Sequence, residues 1–190
     1  VYGGNAIYLD ERPSCILVEN NICFDCDVGI DTKGRENICR NNIFAFMDLG
    51  VLRLAEGFTN VISLNFTGNV CITNGKYLYV SGYSDKLADG KLACNSNLFW
   101  DINGRDFKFL DQDTKKEYSL EWWQQTCRQD NSSIIADPKC SNVLQRDFRI
   151  VENSPVSKIG FKVFNIEDAG PRPVGLRYRA RRGERLRGGL

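Results

Sequence analysis

The chain has 190 residues, 42% hydrophobic, 26% charged and 11% aromatic, with a formal net charge of +1. That length supports one domain with a real core, and the composition excludes bulk disorder and collagen-like repeats. No apolar run approaches the ~18 residues of a membrane span, and the absence of His excludes His-based relays and most catalytic zinc sites, leaving catalysis to carboxylates, Lys, Tyr or Cys.

The charge is uneven. Residues 171–190 carry seven Arg and one Glu, a local charge of +6, which leaves 18 basic and 23 acidic residues, or −5, for the rest. The tail reads as an Arg/Gly/Pro-rich disordered terminus. The acidic body has no basic stripe interleaved with aromatics, so nucleic acid is not an expected partner, nor is a membrane. Beginning at Val1 without a basic-then-apolar leader, the sequence reads as a mature product or a fragment.

Four segments repeat a pattern: CILVENNICFDC (15–26), NICRNNIFAFMD (37–48), LNFTGNVCITNG (64–75) and LACNSNLFWDIN (92–103). Each holds an Asn followed by an aliphatic residue, at Asn21, Asn42, Asn69 and Asn97, and an apolar residue three positions earlier, at Val18, Cys39, Phe66 and Cys94. Short strands and an Asn turn at this period predict stacked coils, because one coil is too short to bury its own apolar face. Equivalent Asn residues then lie one strand spacing apart, roughly 4.8 Å, and form a hydrogen-bonded ladder. Cys39 with Cys94, and Cys23 with Cys71, share offsets two coils apart. That is too far for a disulfide, so they read as core fillers. Cys127 and Cys140 bracket a loop that a disulfide can close. The segment Tyr118–Arg128 predicts a short helix opened by a Ser, followed by irregular strands (133–138, 147–161) that close the stack. The fold expected is all-β: a right-handed parallel β-helix with a short helix and an irregular C-terminal cap over residues 1–170, then the 171–190 tail.

The phrases IYLDE (7–11), GRENICRNNIFAF (34–46), NLFWD (97–101), SLEWW (119–123), QDNSSIIADP (129–138) and DFRIVENSPVSKIGF (147–161) resemble the C-terminal half of right-handed parallel β-helix proteins, a group that includes bacterial glycoside hydrolases. The chain departs from that group at Thr32 and Ser132, where His is expected. The resemblance implies a carbohydrate-active protein, glycoside hydrolase-like, acting as a monomer on an extracellular polysaccharide or oligosaccharide. Two alternatives stand beside it: a non-catalytic glycan-binding or structural β-helix, and a calcium-dependent polysaccharide lyase.

Asp10 and Asp31 each sit eleven positions before a ladder Asn, which predicts neighbouring places roughly 5 Å apart, near the separation of carboxyl groups in retaining glycosidases. The same residue type also suits surface turns. With Glu56 in the next coil, Asp10 and Asp31 form the candidate catalytic set, and Glu11 adjoins it. This carboxylate edge also suits Ca²⁺. The resemblance places Lys33 and Arg35 near the active face, where a cation holds an acidic sugar. Trp100, directly following a strand, is the candidate for stacking on a sugar ring.

Overall fold

The computed structural model describes residues 4–55, 60–81 and 87–167; Glu56 and the Arg-rich tail lie outside the described residues. The chain is predominantly β, and its strands come in trios. The first is β1 (Asn5–Leu9), β2 (Leu17–Glu19) and β3 (Ile22–Phe24). The second is β4 (Val28–Thr32), β5 (Asn37–Arg40) and β6 (Ile43–Ala45). The third is β7 (Gly50–Leu54), β8 (Leu64–Thr67) and β9 (Val70–Thr73). The fourth is β10 (Tyr77–Ser81), β11 (Leu92–Asn95) and β12 (Leu98–Asp101). They are followed by β13 (Lys108–Asp111), β14 (Lys116–Ser119), the helix α1 (Leu120–Thr126), β15 (Ile134–Ile135), β16 (Cys140–Asn142) and β17 (Asp147–Ile150).

Each strand pairs in parallel with its counterpart in the next trio. The first sheet runs β1-β4-β7-β10-β13, with β14 antiparallel on its end; the second runs β2-β5-β8-β11; the third runs β3-β6-β9-β12-β15. This arrangement is compatible with a parallel β-helix.

Register explains the repeat. Val18, Cys39, Phe66 and Cys94 are successive partners in the second sheet, and Cys23, Phe44, Cys71 and Phe99 in the third. Ile30, Leu52, Tyr79 and Phe109 follow one another in the first sheet. The three rows meet in one hydrophobic core. Fully burying one such side chain contributes about 1.5–3 kcal/mol. Gly29 in β4 is required by this packing, because a Cβ there would stand 2.5 Å from the Val51 carbonyl oxygen and 2.7 Å from the Phe44 ring.

The Asn repeat is the turn between the second and third sheets. The residue before each ladder Asn adopts left-handed backbone (Asn20 φ 60, Asn41 φ 55, Gly68 φ 64, Ser96 φ 52), a conformation that Asn and Gly tolerate best. The amide Nδ2 of Asn21 donates to Asn42 Oδ1 (2.9 Å), Asn42 to Asn69 (3.0 Å) and Asn69 to Asn97 (3.3 Å). The same oxygens accept the backbone N–H of the preceding Asn at 3.0–3.1 Å. Asn42, Asn69 and Asn97 are fully buried, so every rung satisfies groups that otherwise carry a desolvation penalty.

The ladder ends on Asp130, also fully buried. Its Oδ1 accepts from Asn97 Nδ2 (2.9 Å) and Ser133 Oγ (2.5 Å), and its Oδ2 from Trp123 Nε1 (2.9 Å) and the Tyr79 hydroxyl (3.1 Å). Burial pushes this carboxyl above the usual carboxylate range, with the four donors opposing the rise. Ser119 caps α1 by accepting from the Trp122 N–H (3.1 Å), and Trp123 stacks on Phe109 with ring centroids 5.1 Å apart. The C-terminal end of the core is thus closed by α1 and Asp130.

Of the expected irregular cap, β15 within 133–138 does pair onto the end of the third sheet, but 147–161 lies elsewhere. Phe148, Val156, Ile159 and Phe161 pack with Ile43, Ala45, Val70, Ile72 and Leu98 in a second apolar cluster on the other side of the third sheet. These residues cover a flank of the stack rather than its end, because the third sheet is apolar on both sides. Arg146 clamps this flank: its guanidinium lies 4.4 Å over the Phe46 ring and forks Asp25 with two 2.7 Å bonds.

All eight cysteines are free. Cys127 packs on the first cluster and Cys140 on the second, so the third sheet separates them and the expected closure of that loop does not form. Burial pushes the Cys23 and Cys127 thiols up to about 11 and Cys140 up to about 12; Cys39, Cys71 and Cys94 are raised further by the same cause. Only the thiolate reacts. Ellman's reagent at pH 8 is therefore expected to titrate the exposed Cys15 within minutes and all eight thiols only in denaturant. Rapid native reaction of Cys39, Cys71 or Cys94, mapped by mass spectrometry, would contradict the buried rows.

Candidate functional site

The first sheet carries a second set of rows on its other side. One residue beyond Ile7, Ile30 and Leu52 stand Tyr8, Asp31 and Arg53, successive partners across β1, β4 and β7. The Lys33 N–H donates to the Leu9 carbonyl (3.0 Å), which continues the pairing and brings Asp10 opposite Lys33. Lys33 Nζ donates to Asp10 Oδ1 at 2.9 Å and lies 5.1 Å over the Tyr8 ring. Tyr8 is 45% exposed. Hydrogen bonding to Tyr8 and Asp10 raises the Lys33 ammonium above its ordinary value, and Lys33 in turn holds the Asp10 carboxyl below the usual carboxylate range. Both groups are therefore charged across the neutral range.

Behind this exposed cluster, Asp31 is fully buried. Its Oδ2 accepts from Arg53 Nη2 and from Asn5 Nδ2 (3.0 Å), while its Oδ1 is buried with no hydrogen-bond partner. Farther along the same sheet, Glu117 on β14 accepts from the Tyr77 hydroxyl (2.5 Å) and Lys108 Nζ (2.7 Å). Lys108 and then Tyr77 lower the Glu117 carboxyl.

Asp10 and Asp31 are not register partners as expected: Asp31 faces Tyr8 and Arg53, while Asp10 faces Lys33. Eight positions separate Leu9 from Leu17, but only six separate their partners Thr32 and Ile38. The first turn is two residues longer, so counting back from the ladder Asn misses the pairing by two. The carboxylates are diagonal neighbours, with Cα atoms roughly 7–8 Å apart. Glu11 is exposed at the start of that turn, with φ 55. Arg35 is exposed in the β4–β5 turn and donates from Nε to Ser14 Oγ (3.1 Å). Trp100 does not join them: it pairs with Ile72 in the third sheet and packs on the second apolar cluster. Glu56 lies outside the described residues. For Ca²⁺, no group of three carboxylate, His or Cys ligands converges among the described residues.

Tyr8, Arg53 and Asn5 were not singled out by the sequence reading. Arg53 had a signal, being the one charge inside the apolar run GVLRL (50–54).

Comparison with protein-family models, with curated proteins and with solved structures gives no match.

Proposed function

We propose that the chain is a right-handed parallel β-helix that engages carbohydrate on the outer side of its first sheet. Parallel crossovers are overwhelmingly right-handed, which supports the handedness. The observation that carries the carbohydrate reading is the cluster of Tyr8, Lys33 and Asp10. A half-exposed aromatic ring flanked by a fixed ammonium and carboxylate suits the apolar face and the hydroxyls of a pyranose. Asp31 and Arg53 brace this row from β4 and β7.

Binding rather than hydrolysis is the reading favoured, because the Asp10 carboxyl is held ionised by Lys33 and a general acid must carry a proton. A hydrolytic reading draws on Asp10 as the exposed carboxylate that acts as base or nucleophile, with Asp31 held behind it by Arg53 and Asn5.

The test is binding to a panel of neutral and uronic polysaccharides, with product analysis of the same mixtures. Tyr8→Ala is expected to weaken binding about tenfold, as loss of one stacked ring of ~1.5 kcal/mol implies, with an unchanged circular dichroism spectrum. Binding is expected to hold from neutral pH down through the ordinary carboxylate range. Because the Asp10 pKa is lowered, its contribution is present above that range and lost only as pH falls through the lowered value. No binding anywhere on the panel, or binding indifferent to Tyr8→Ala, sinks the proposal. Release of sugar that Asp10→Asn slows 10²–10⁴-fold favours hydrolysis instead.

A further inference from the structure

The Asn ladder has a direction. Each rung accepts through Oδ1 from the rung before it and donates through Nδ2 to the rung after it, and the C-terminal rung, Asp130, only accepts. At the other end Asn21 donates to Asn42 Oδ1 and to the Glu19 carbonyl (3.0 Å), yet no donor among the described residues reaches Asn21 Oδ1.

The strands repeat this asymmetry. At the C-terminal end, β14 closes the first sheet and β15 the third. Residues 129–132 close the second: Asp130 N–H donates to the Cys94 carbonyl (2.7 Å), and Gln129 Oε1 accepts the Cys94 N–H (2.6 Å). At the N-terminal end, β1, β2 and β3 are each paired on one side only among the described residues. The core thins there as well: Val18 is 8% exposed whereas Cys39 and Phe66, further along the same row, are at 0%, and Ile7, Leu9 and Cys23 are only partly buried. An open edge of this kind is a template for another strand.

We infer that the β1–β3 end is an interaction surface whose occupant is a further trio of parallel strands, bearing an Asn whose backbone N–H and side-chain amide donate to Asn21 Oδ1. A second copy of this chain does not meet that specification. Its C-terminal end is closed by α1, β14 and β15, and its ladder ends there on an acceptor; its N-terminal end presents the same unused acceptor. The inference rests on the parallel register and not on the carbohydrate reading, so a chain that binds no glycan leaves it standing.

The test joins a second copy of residues 28–49 directly before Asn5 of the otherwise full chain. Val28 and Asn5 are register partners and residue 49 leads into a strand at Gly50, so the added Asn42 falls over Asn21. Hydrogen exchange in β1–β3 is expected to slow at least tenfold, and the urea midpoint to rise. Both gains are expected to shrink when the added copy carries Asn42→Leu, and likewise when the original chain carries Asn21→Leu, measured against the unextended Asn21→Leu chain because that change also removes the bond to Asn42 Oδ1. The unextended chain is expected to sediment as a monomer with fast exchange in β1–β3. The inference is overturned by an extension that protects nothing, by gains that survive both Leu variants undiminished, or by an unextended dimer already protected along β1–β3.

Discussion

Asn69→Ala is expected to destabilise the chain by roughly 3–5 kcal/mol, since each buried group left unpaired costs about 1–3 kcal/mol. The substitution removes the Oδ1 that accepts both the Asn42 N–H (3.1 Å) and the Asn42 amide (3.0 Å). It also removes the Nδ2 that donates to the Cys39 and Thr67 carbonyls (2.9 and 3.2 Å). All of this happens at a fully buried site that water does not re-enter without opening the turn. Equilibrium unfolding in urea measures the effect as a lowered midpoint at similar slope. The exposed Asn74 serves as control, with Asn74→Ala expected to stay within about 0.5 kcal/mol of the parent. Equal costs at the two positions would show that the ladder contributes nothing beyond turn preference.

The second large effect is expected at Arg53. Arg53→Met leaves the Asp31 carboxylate fully buried with only the Asn5 amide on Oδ2 and nothing on Oδ1. Breaking a buried pair from one side costs about 3–5 kcal/mol. The loss belongs to the stranded charge rather than to the pair, so the double variant Asp31→Leu/Arg53→Met is expected to regain most of it. A double-mutant cycle by urea unfolding decides the matter. If the two single changes and the double change cost the same, or if the singles simply add, the stranded charge is not the cause.

Much of the fold was legible because the repeat is local chemistry. An Asn after a left-handed residue, with an aliphatic next and an apolar residue three before, fixes one turn and two short strands within about eight positions. Stacking is then forced by the apolar faces. Hence the ladder, the two-trio offsets of Cys39 with Cys94 and Cys23 with Cys71, and a helix opened by Ser119 were all readable from the sequence. Asp130 was harder to find, since it lies in a loop where nothing marks an Asp as the end of a buried chain of amides.

The candidate site was less legible because it lies on the first sheet, reached through turns of unequal length. Two extra residues between Leu9 and Leu17 move Asp10 from Asp31 to Lys33. No residue type in that turn reports its length in space. Trp100 shows the same limit: strand alternation gives a side, but only the packing of Phe148 and Phe161 makes that side interior. What the amino-acid sequence determined by itself was the repeating unit, because its turn and its apolar spacing are satisfied within a few residues. What the tertiary structure alone decided was which units lie against which, and therefore which charges meet. Those choices depend on the lengths of irregular turns and on which faces the C-terminal segment covers, quantities set by the whole packed chain.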